Sequence, residues 1–257
     1  MRIAHISDIH CNYGNDFNEK VFEKAVKILE KIDADIVFIS GDLTTEGLVS
    51  EYELAKKKLE EISCKKIIVP GNHDERNLGW LLFPEFFGDT DFIFENKDVS
   101  LIGLASSEPD KDGGRLGCGR HKKIEEGIKK SKTTIIGFHH HIVPVPNSGR
   151  ETNIIEDAGE TLNIILKNEV PLVLMGHRHV PWGVKIHKTL LVNAGTFSCN
   201  RTRAHFGNTF NIIDIDEEEI EVTVVNILKD KKTKMIKFSL SDGCCDNKYY
   251  DVEKMKL

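Results

Sequence analysis

Short apolar runs and amphipathic segments alternate over the first 70 residues of the chain. Residues 2–6, 35–40 and 66–69 are mostly apolar, which predicts three buried strands. Between the first two runs, apolar side chains recur at helical spacing over residues 18–32, with Lys and Glu on the opposite face. Ser50-Glu51-Tyr52-Glu53 has the spacing of a capping box and predicts the start of a second helix. The order strand–helix–strand–helix–strand predicts a parallel sheet with right-handed crossovers.

The rest of the chain follows a less regular pattern. Apolar runs predict further strands at 92–95, 99–105, 133–138 and 170–175, and helical spacing predicts helices at 122–130 and 157–167. Beyond these, short runs predict mainly strands, at 184–186, 189–192, 209–215, 220–225 and 235–238. Segments 110–119 and 144–149 are rich in Gly, Pro or charge and are predicted to be loops. Because no linker or shift in composition divides the chain, we expect one domain over residues 1–257, with a partly mobile tail from about Asp246.

Composition and charge exclude several classes of protein. The 257 residues are 40% hydrophobic and 30% charged, as in ordinary globular proteins, and no apolar run approaches the roughly 18 residues of a membrane span. The net charge of −6 argues against stable coating of nucleic acid. Residues 1–10 leave no room for a signal peptide, and the six cysteines are typical of reduced thiols. We therefore expect a cytoplasmic protein with no membrane partner.

Polar motifs stand at the ends of the predicted strands. They are Asp8-Ile9-His10, Gly41-Asp42, Gly71-Asn72-His73-Asp74, His139-His140-His141 and Gly176-His177-Arg178-His179. In parallel sheets the functional groups cluster beyond the carboxyl ends of the strands. Carboxylates, imidazoles and an amide oxygen suit zinc, iron or manganese better than calcium. Since one carboxylate can bridge two ions about 3.5–4 Å apart, the set predicts a two-metal site that can clamp a phosphoryl group.

The ordered motifs resemble those of the calcineurin-like metallophosphoesterases over residues 8–179. The segment Asn193-Ala194-Gly195-Thr196 also resembles the Asn-Pro-Gly-Ser segment that often follows in this family. The resemblance implies an α/β fold in four layers, an α-β-β-α sandwich of two mixed sheets flanked by helices. Segment 139–144 and the chain length resemble the cyclic-nucleotide phosphodiesterase branch in particular.

The resemblance also implies which side chains hold two ions of Mn, Fe or Zn. Asp8, His10 and His179 would hold one ion, Asn72, His139 and His177 would hold the other, and Asp42 would bridge them. His73 would not be a ligand but would assist the leaving group, with Asp74 orienting its ring.

The triple histidine leaves a choice that spacing does not resolve. The family often shows His-His-Pro-Pro-x-Pro, and the present segment matches that pattern if His139 takes the first position. His139 is therefore the expected ligand, and His140 is the alternative. This chain lacks the two middle prolines of the pattern, so the path of the following loop is not implied by the resemblance.

Three further residues are candidates for substrate binding: Asn12, His140 and Arg178. A turn-capping role is an equal alternative for Asn12. For Arg178, as for Arg201 and Arg203, surface ion pairing is the default alternative to holding phosphate oxygens.

The activity implied by the resemblance is hydrolysis of phosphodiesters in small molecules, cyclic nucleotides among them. A hydroxide activated between two ions would attack phosphorus, and His73 would assist departure of the alcohol. A phosphomonoesterase or protein phosphatase remains the alternative, with a nuclease or a non-catalytic scaffold on the same fold less favoured.

Overall fold

The computed structural model describes residues 1–128, 132–149 and 154–247. Its strands are β1 (Arg2–Ile6), β2 (Ile36–Ser40), β3 (Lys66–Val69), β4 (Phe92–Glu95), β5 (Val99–Gly103), β6 (Thr133–Gly137), β7 (Leu172–Met175), β8 (Trp182–Ile186), β9 (Thr189–Asn193), β10 (Thr209–Ile215), β11 (Glu219–Asn226), β12 (Lys231–Ser239) and β13 (Cys245–Asn247). Its helices are α1 (Glu19–Leu29), α2 (Val49–Glu60), α3 (Gly79–Phe87), α4 (Gly117–Gly127) and α5 (Ala158–Lys167).

The first sheet has the order β13-β12-β11-β10-β1-β2-β3. Strands β1, β2 and β3 are parallel, and α1 and α2 connect them, so the predicted strand–helix–strand–helix–strand unit is confirmed. Strand β10 pairs antiparallel with β1, with Ile213 opposite Ile3. The last four strands therefore extend the sheet built by the first three.

The second sheet has the order β4-β5-β6-β7-β9-β8. Its four inner strands are parallel, and the edge strands β4 and β8 pair antiparallel with their neighbours. Both sheets are therefore mixed, as expected.

Alternating side chains of each sheet face two different cores. On β1 and β2, Ile3 and Phe38 pack between the sheets against residues of the second sheet such as Ile135. Their neighbours Ala4 and Val37 face outward, in a cluster that also contains the apolar faces of α1, α2 and α3. A third cluster joins the outer face of the second sheet to α4 and α5. The four-layer arrangement is confirmed.

The N-termini of α1 and α2 are stabilised in different ways. Asn18 caps α1 by accepting a hydrogen bond from the Val21 N–H (3.1 Å). The capping box predicted at residues 50–53 is wrong, because α2 already begins at Val49 and its N-cap residue makes no side-chain cap. Instead, the carboxylate of Glu51 accepts from the N–H groups of Thr45 and Glu46 (3.1 and 2.7 Å). This acidic side chain therefore fixes the loop beside the metal motifs.

Helix α3 and strand β13 were not predicted. Helix α3 is apolar along most of its length and contains Pro84, so it has no helical period to recognise. Strand β13 pairs with β12. Most of the tail that is predicted to be partly mobile from about Asp246, residues 248–257, lies outside the described part. The predicted helix 122–130 begins earlier, at Gly117, and its last two residues are not described. Within the described ranges, no helix is long and apolar enough to cross a membrane.

Candidate metal centre

The predicted metal ligands follow strands of both sheets at one edge of the sandwich. Asp8 and Asp42 follow β1 and β2 of the first sheet, while His139 and His177 follow β6 and β7 of the second. The imidazole Nδ1 of His139 donates to the carbonyl oxygen of Ser40 (2.6 Å) and so crosses from one sheet to the other. The centre lies where the carboxyl ends of parallel strands from the two sheets meet.

The segments after β1 and β2 stay paired beyond the strands. Asp8 N–H donates to the Gly41 carbonyl, and His10 N–H to the Asp42 carbonyl, both at 3.0 Å. The hydroxyl of Thr196 donates to the Asp8 carbonyl (2.7 Å) from the opposite side. These contacts hold the first two motifs against each other.

Two glycines allow the second and third motifs to approach. A Cβ atom on Gly71 would overlap the carboxylate of Asp42, and one on Gly41 would overlap the backbone of Gly71. Gly41 also has φ of 90°, in a region that L side chains rarely adopt. The contact between the motifs therefore depends on glycine at both positions.

Five of the expected ligands have left-handed backbone conformations. The φ angles are 55° for Asp8, 56° for His10, 55° for Asp42, 70° for His177 and 55° for His179. Each such angle costs on the order of 1 kcal/mol for a residue other than glycine. The surrounding hydrogen bonds hold these residues in place, and the strain turns their side chains toward one point.

The first group of donor atoms comes from Asp8, His10 and His179. His179 Nε2 lies 3.1 Å from Asp8 Oδ1 and 3.3 Å from His10 Nε2. His179 Nδ1 donates to the Arg201 carbonyl (2.7 Å), so the Nε2 of a neutral His179 ring is an acceptor. This Nε2 therefore faces a second acceptor, Asp8 Oδ1. Asp8 Oδ1 is buried and has no hydrogen-bond partner among the residues that the structure describes. Two acceptors in contact and out of water favour a cation between them.

The second group comes from Asn72, His139 and His177. Asn72 Oδ1 lies 3.1 Å from His139 Nε2 and 3.0 Å from His177 Nδ1. Asp42 Oδ2 lies 3.3 Å from His139 Nε2 and 3.6 Å from His10 Nε2, so this carboxylate touches both groups. The donor atoms of Asp42, His139 and His177 all lie within 4.8 Å of one another. The chemistry of these oxygens and imidazoles fits two transition-metal ions that share Asp42.

Charge at the centre suits cation binding. Burial alone would raise the pKa of Asp42, but His139, His73 and His10 outweigh it and hold this pKa well below its ordinary value. Burial would lower the pKa of His139, yet Asp42 raises it to about 9. A cation bound between His139 and Asp42 would displace the proton that Asp42 favours on His139.

Two other histidines are neutral. Burial lowers the pKa of His10 well below its ordinary value, and it does the same for His177, where His140 and His139 add to the effect. Neutral imidazole is the form that binds metal ions.

The structure shows that the adjacent side chains of His139 and His140 point in different directions. His139 points at Asp42 and Asn72. His140 points away, with Nδ1 2.9 Å from the Ser106 hydroxyl and Nε2 3.3 Å from the Asp112 carbonyl. His140 is fully buried among these partners, and its contact with substrate stays a prediction.

His73 lies beside the donor groups, but Asp74 does not contact its ring as expected. His73 Nδ1 lies 2.7 Å from the Thr45 carbonyl, and the ligand atoms of His73, His10 and Asp42 fall within 4.8 Å of one another. The Asp74 carboxylate is buried and accepts instead from the N–H groups of Thr44 and Gly71, both at 2.9 Å. The role given to Asp74 in orienting His73 is therefore wrong.

The environment of Asp74 is unusual for a carboxylate. Burial, and then the charge of Asp42, raise the pKa of Asp74 to about 7. Its hydrogen bonds to the backbone tie the second motif to the third, so it supports the loop that carries Asn72 and His73.

The other two substrate-binding candidates are engaged within the protein. Asn12 Oδ1 accepts from Gly14 N–H (3.0 Å), which is the turn-capping alternative, and its Nδ2 donates to the Thr45 hydroxyl (3.0 Å). Arg178 is 3% exposed, and its guanidinium donates to the hydroxyl and carbonyl of Ser148. Arg178 therefore fixes the loop at Ser148, and its contact with substrate stays a prediction.

The sequence analysis did not identify three residues that lie around His73. Arg76 donates to the Thr45 carbonyl (3.3 Å) and to Asp112 (2.8 Å), and Asp112 also lies 3.5 Å from Asn72 Nδ2. Arg76 stands two positions after Asp74, so its closeness to the motif was a usable signal. Nothing in the sequence around Asp112 or Thr45 distinguishes them from ordinary loop residues.

Cys199 lies behind the first donor group. Its sulfur is within 4.8 Å of ring nitrogens of His10 and His179. Burial raises the pKa of the Cys199 thiol.

Comparison with known proteins agrees with this geometry. The chain is 28% identical over 220 residues to a protein of Ruthia magnifica named probable cyclic nucleotide phosphodiesterase, covering 80% of this chain and 88% of that one. It is 29% identical over 196 residues to a protein of Arcobacter nitrofigilis named probable glycerophosphodiester phosphodiesterase, covering 70% of this chain and 72% of that one.

Solved structures show the same fold at low identity. A purple acid phosphatase from yellow lupin matches with a TM-score of 0.71 and 17% identity over 93% of this chain, which spans only about half (53%) of that protein. A dimetal phosphatase from Danio rerio matches with a TM-score of 0.69 and 10% identity, covering 91% of this chain and 98% of that one. The family model for calcineurin-like phosphoesterases matches residues 1–181. The chain belongs to the calcineurin-like phosphoesterase family.

Proposed function

We propose that this protein is a phosphodiesterase that uses two metal ions of Mn, Fe or Zn. The observation that carries the proposal is the pair of donor groups joined by one carboxylate: Asp42 Oδ2 lies 3.3 Å from His139 Nε2 and 3.6 Å from His10 Nε2. Asp8, His10 and His179 would hold one ion, and Asn72, His139 and His177 would hold the other. When bound, two ions so placed polarise a phosphoryl group and lower the pKa of a water molecule.

His73 is the residue proposed to assist the leaving group. Its Nδ1 is held by the Thr45 carbonyl (2.7 Å), which leaves Nε2 as the ring nitrogen available to substrate. Its backbone N–H donates to Asp42 Oδ1 (3.0 Å), so the ring is fixed relative to the bridging carboxylate. His73 is partly exposed, unlike the buried Asp42 beside it, and can therefore reach a substrate oxygen.

The diester preference rests on the two relatives. One is named for cyclic nucleotides and the other for glycerophosphodiesters, and the common chemistry of these names is hydrolysis of a phosphodiester in a small molecule. Cyclic nucleotides are the specific substrates that we favour.

A hydrolysis panel with Mn²⁺ tests the substrate class. It compares a cyclic nucleotide, bis(4-nitrophenyl) phosphate and 4-nitrophenyl phosphate at equal concentration. We expect the two diesters to be hydrolysed with higher kcat/KM than the monoester. A strong preference for the monoester would contradict the diester proposal and favour a phosphatase.

Replacing the bridging residue tests the two-metal arrangement. Asp42→Ala should lose bound metal by elemental analysis and lower kcat by a factor of about 10³ or more, since both ions share this carboxylate. The matched control is Asp98→Ala, because Asp98 has a side chain that is 59% exposed and lies away from the motifs. If Asp42→Ala kept both its metal and its activity, the shared-carboxylate mechanism would be wrong.

A further inference from the structure

Arg76 joins three groups beside the centre. Its Nη2 donates to Asp112 Oδ1 (2.8 Å), and its Nη1 donates to Glu46 Oε1 (3.0 Å) and to the Thr45 carbonyl (3.3 Å). The side chain of Arg76 is 25% exposed, whereas that of Asp112 is 72% exposed. The guanidinium is therefore anchored within the protein, and it fixes a carboxylate that mostly faces solvent.

The same carboxylate faces the amide nitrogen of a proposed metal ligand. Asp112 Oδ1 lies 3.5 Å from Asn72 Nδ2. At the other end of this amide, Asn72 Oδ1 lies 3.1 Å from His139 Nε2 and 3.0 Å from His177 Nδ1. The two ends of an amide have nearly the same shape, but the oxygen is the end that binds a metal ion. An ionised carboxylate only accepts hydrogen bonds, so Asp112 favours the orientation in which Nδ2 faces it and Oδ1 faces the histidines.

Other contacts hold the loop that carries Asp112 in place. The Asn77 N–H donates to Asp110 Oδ1 (2.7 Å), and the Asp110 N–H donates to the Glu75 carbonyl (3.3 Å). Ion pairs near the surface contribute little to stability. Removing the Arg76 guanidinium should therefore free the side chain of Asp112 and leave the path of the loop unchanged.

We infer that Arg76 is a positioning residue, which acts through Asp112 to orient the Asn72 amide with Oδ1 toward the second ion. The inference rests on the proposed function, because it takes Asn72 as a ligand of that ion. Loss of a group that orients a metal ligand typically costs about 10- to 100-fold in metal affinity. Charge alone would act in the opposite direction, since a guanidinium repels a nearby cation and its removal would tighten metal binding.

Mn²⁺ binding measured by calorimetry separates orientation from charge. The variants are Arg76→Ala, Asp112→Ala and Asp112→Asn, and the last of these keeps an acceptor oxygen without the charge. Lys111→Ala is the matched control, because it removes a positive charge from the same loop and Lys111 Nζ contacts Glu108 (2.9 Å). Each protein is stripped of metal before the titration, and thermal unfolding verifies that it is folded.

We expect Arg76→Ala and Asp112→Ala each to weaken the binding of one of the two ions by about 10-fold. Asp112→Asn should stay within about threefold of the wild type, because its amide oxygen still accepts from Asn72 Nδ2. Lys111→Ala should bind both ions as tightly as the wild type does. The double variant of Arg76→Ala and Asp112→Ala should lose no more affinity than either change alone, since both act through one contact.

A second background identifies which ion is affected. In His139→Ala the second group of donors has already lost an imidazole, so adding Arg76→Ala should leave the affinity for the remaining ion unchanged. A further loss in this background would overturn the inference, because Arg76 would then act on the first ion.

Unchanged or tighter Mn²⁺ binding by Arg76→Ala would overturn the inference. Equal losses for Asp112→Ala and Asp112→Asn would also overturn it, because charge would then be the cause. If Arg76→Ala does not fold, the two Asp112 variants decide the question by the same criterion. A wild type that binds two ions but hydrolyses no phosphoester would contradict the proposed function, while the Mn²⁺ affinities would still decide the role of Arg76.

Discussion

Single ring nitrogens decide the chemistry of this centre. His139 and His179 each place one nitrogen on a carbonyl oxygen and the other among buried acceptors. His140 has the same side chain one residue later, but its ring nitrogens face Ser106 and Asp112. Residue type therefore identifies a candidate ligand, and the orientation of its ring determines whether the side chain can bind a metal ion.

The two adjacent histidines should differ in metal content. His139→Ala should lower bound Mn²⁺ from about two ions per chain to about one, since the second group loses an imidazole that contacts both Asn72 and Asp42. His140→Gln should keep both ions because it lies outside the donor groups. Elemental analysis after dialysis measures the difference, and loss of an ion from a folded His140→Gln protein would contradict it.

Leaving-group chemistry tests His73. His73→Ala should lower kcat by about 10²-fold for a diester of a simple alcohol, because proton transfer contributes about that much. The loss should be much smaller for a 4-nitrophenyl ester, whose alcohol leaves without a proton. His205→Ala, at an exposed position, is the control. Equal losses for the two esters would mean that His73 does not protonate the leaving group.

At the residue scale, the motif residues could be predicted from the sequence better than their hydrogen-bond partners could. The spacing of Asp8, His10 and Asp42 after strand ends was visible because metal ligands need particular residue types. The partners of His73 and His179 are the backbone carbonyls of Thr45 and Arg201. Every residue has a backbone carbonyl, so the residue types do not show which carbonyls are partners. For the same reason the orientation of Asp74 could not be read.

At the scale of elements, a half-buried carboxylate, that of Asp91, ties α4 to the strand layer. Asp91 accepts from the Ala105 N–H just after β5 (2.9 Å) and from Arg120 (2.9 Å) and Lys123 (2.6 Å) of α4. Burial would raise the pKa of Asp91, but the hydrogen bonds from Lys123, Arg120 and Ala105 outweigh it and leave this pKa below its ordinary value. The ionised form of Asp91 therefore stabilises the folded state.

This contact gives stability that depends on pH. Because the folded pKa of Asp91 lies below the unfolded value of about 3.9, its contribution is complete above that value and is lost as pH falls through the folded pKa. Asp91→Asn should lower the free energy of unfolding by about 1–2 kcal/mol at neutral pH. In urea unfolding, the difference in free energy of unfolding between the variant and the wild type should become smaller in acid. If this difference persisted in acid, the charge of Asp91 would not be its source.

Elements with a clear period were predicted well, and the others were not. Strand β1 is a short apolar run that stops at Ser7, and helix α1 has a helical period with a distinct start at Asn18, so both were found. Helix α3 is apolar on nearly all sides, so its period is hidden, although Gly79 and Phe83 are the buried positions. Strand β13 owes its existence to pairing with β12, a long-range contact that local patterns do not carry.

For the whole molecule, the interface between the two sheets has little spare space. A Cβ atom on Gly137 of β6 would overlap the ring of Phe38 on β2. Gly137→Ala should therefore lower the free energy of unfolding by about 1–3 kcal/mol through overpacking. Phe38→Leu in the same chain should restore part of this loss, because the shorter side chain makes room.

A double-mutant cycle measured by urea unfolding checks this coupling. Gly159→Ala is the control: it lies in α5 with no atom within 4 Å of the added Cβ, and it should stabilise by about 0.5–1 kcal/mol. Strictly additive effects of the Phe38 and Gly137 changes would show that the sheets adjust their spacing freely.

The sequence of strands along the chain also sets the order in which they become available. Strand β1 lies between β2 and β10, and Ile3 pairs with Ile213. At a synthesis rate of about 5–20 residues per second, that partner emerges roughly 10–40 seconds after β1. During this interval one edge of β1 is open, and an open edge can pair with other chains. The newly made protein is therefore most prone to aggregation while it is still on the ribosome, and its first sheet closes only near the end of synthesis.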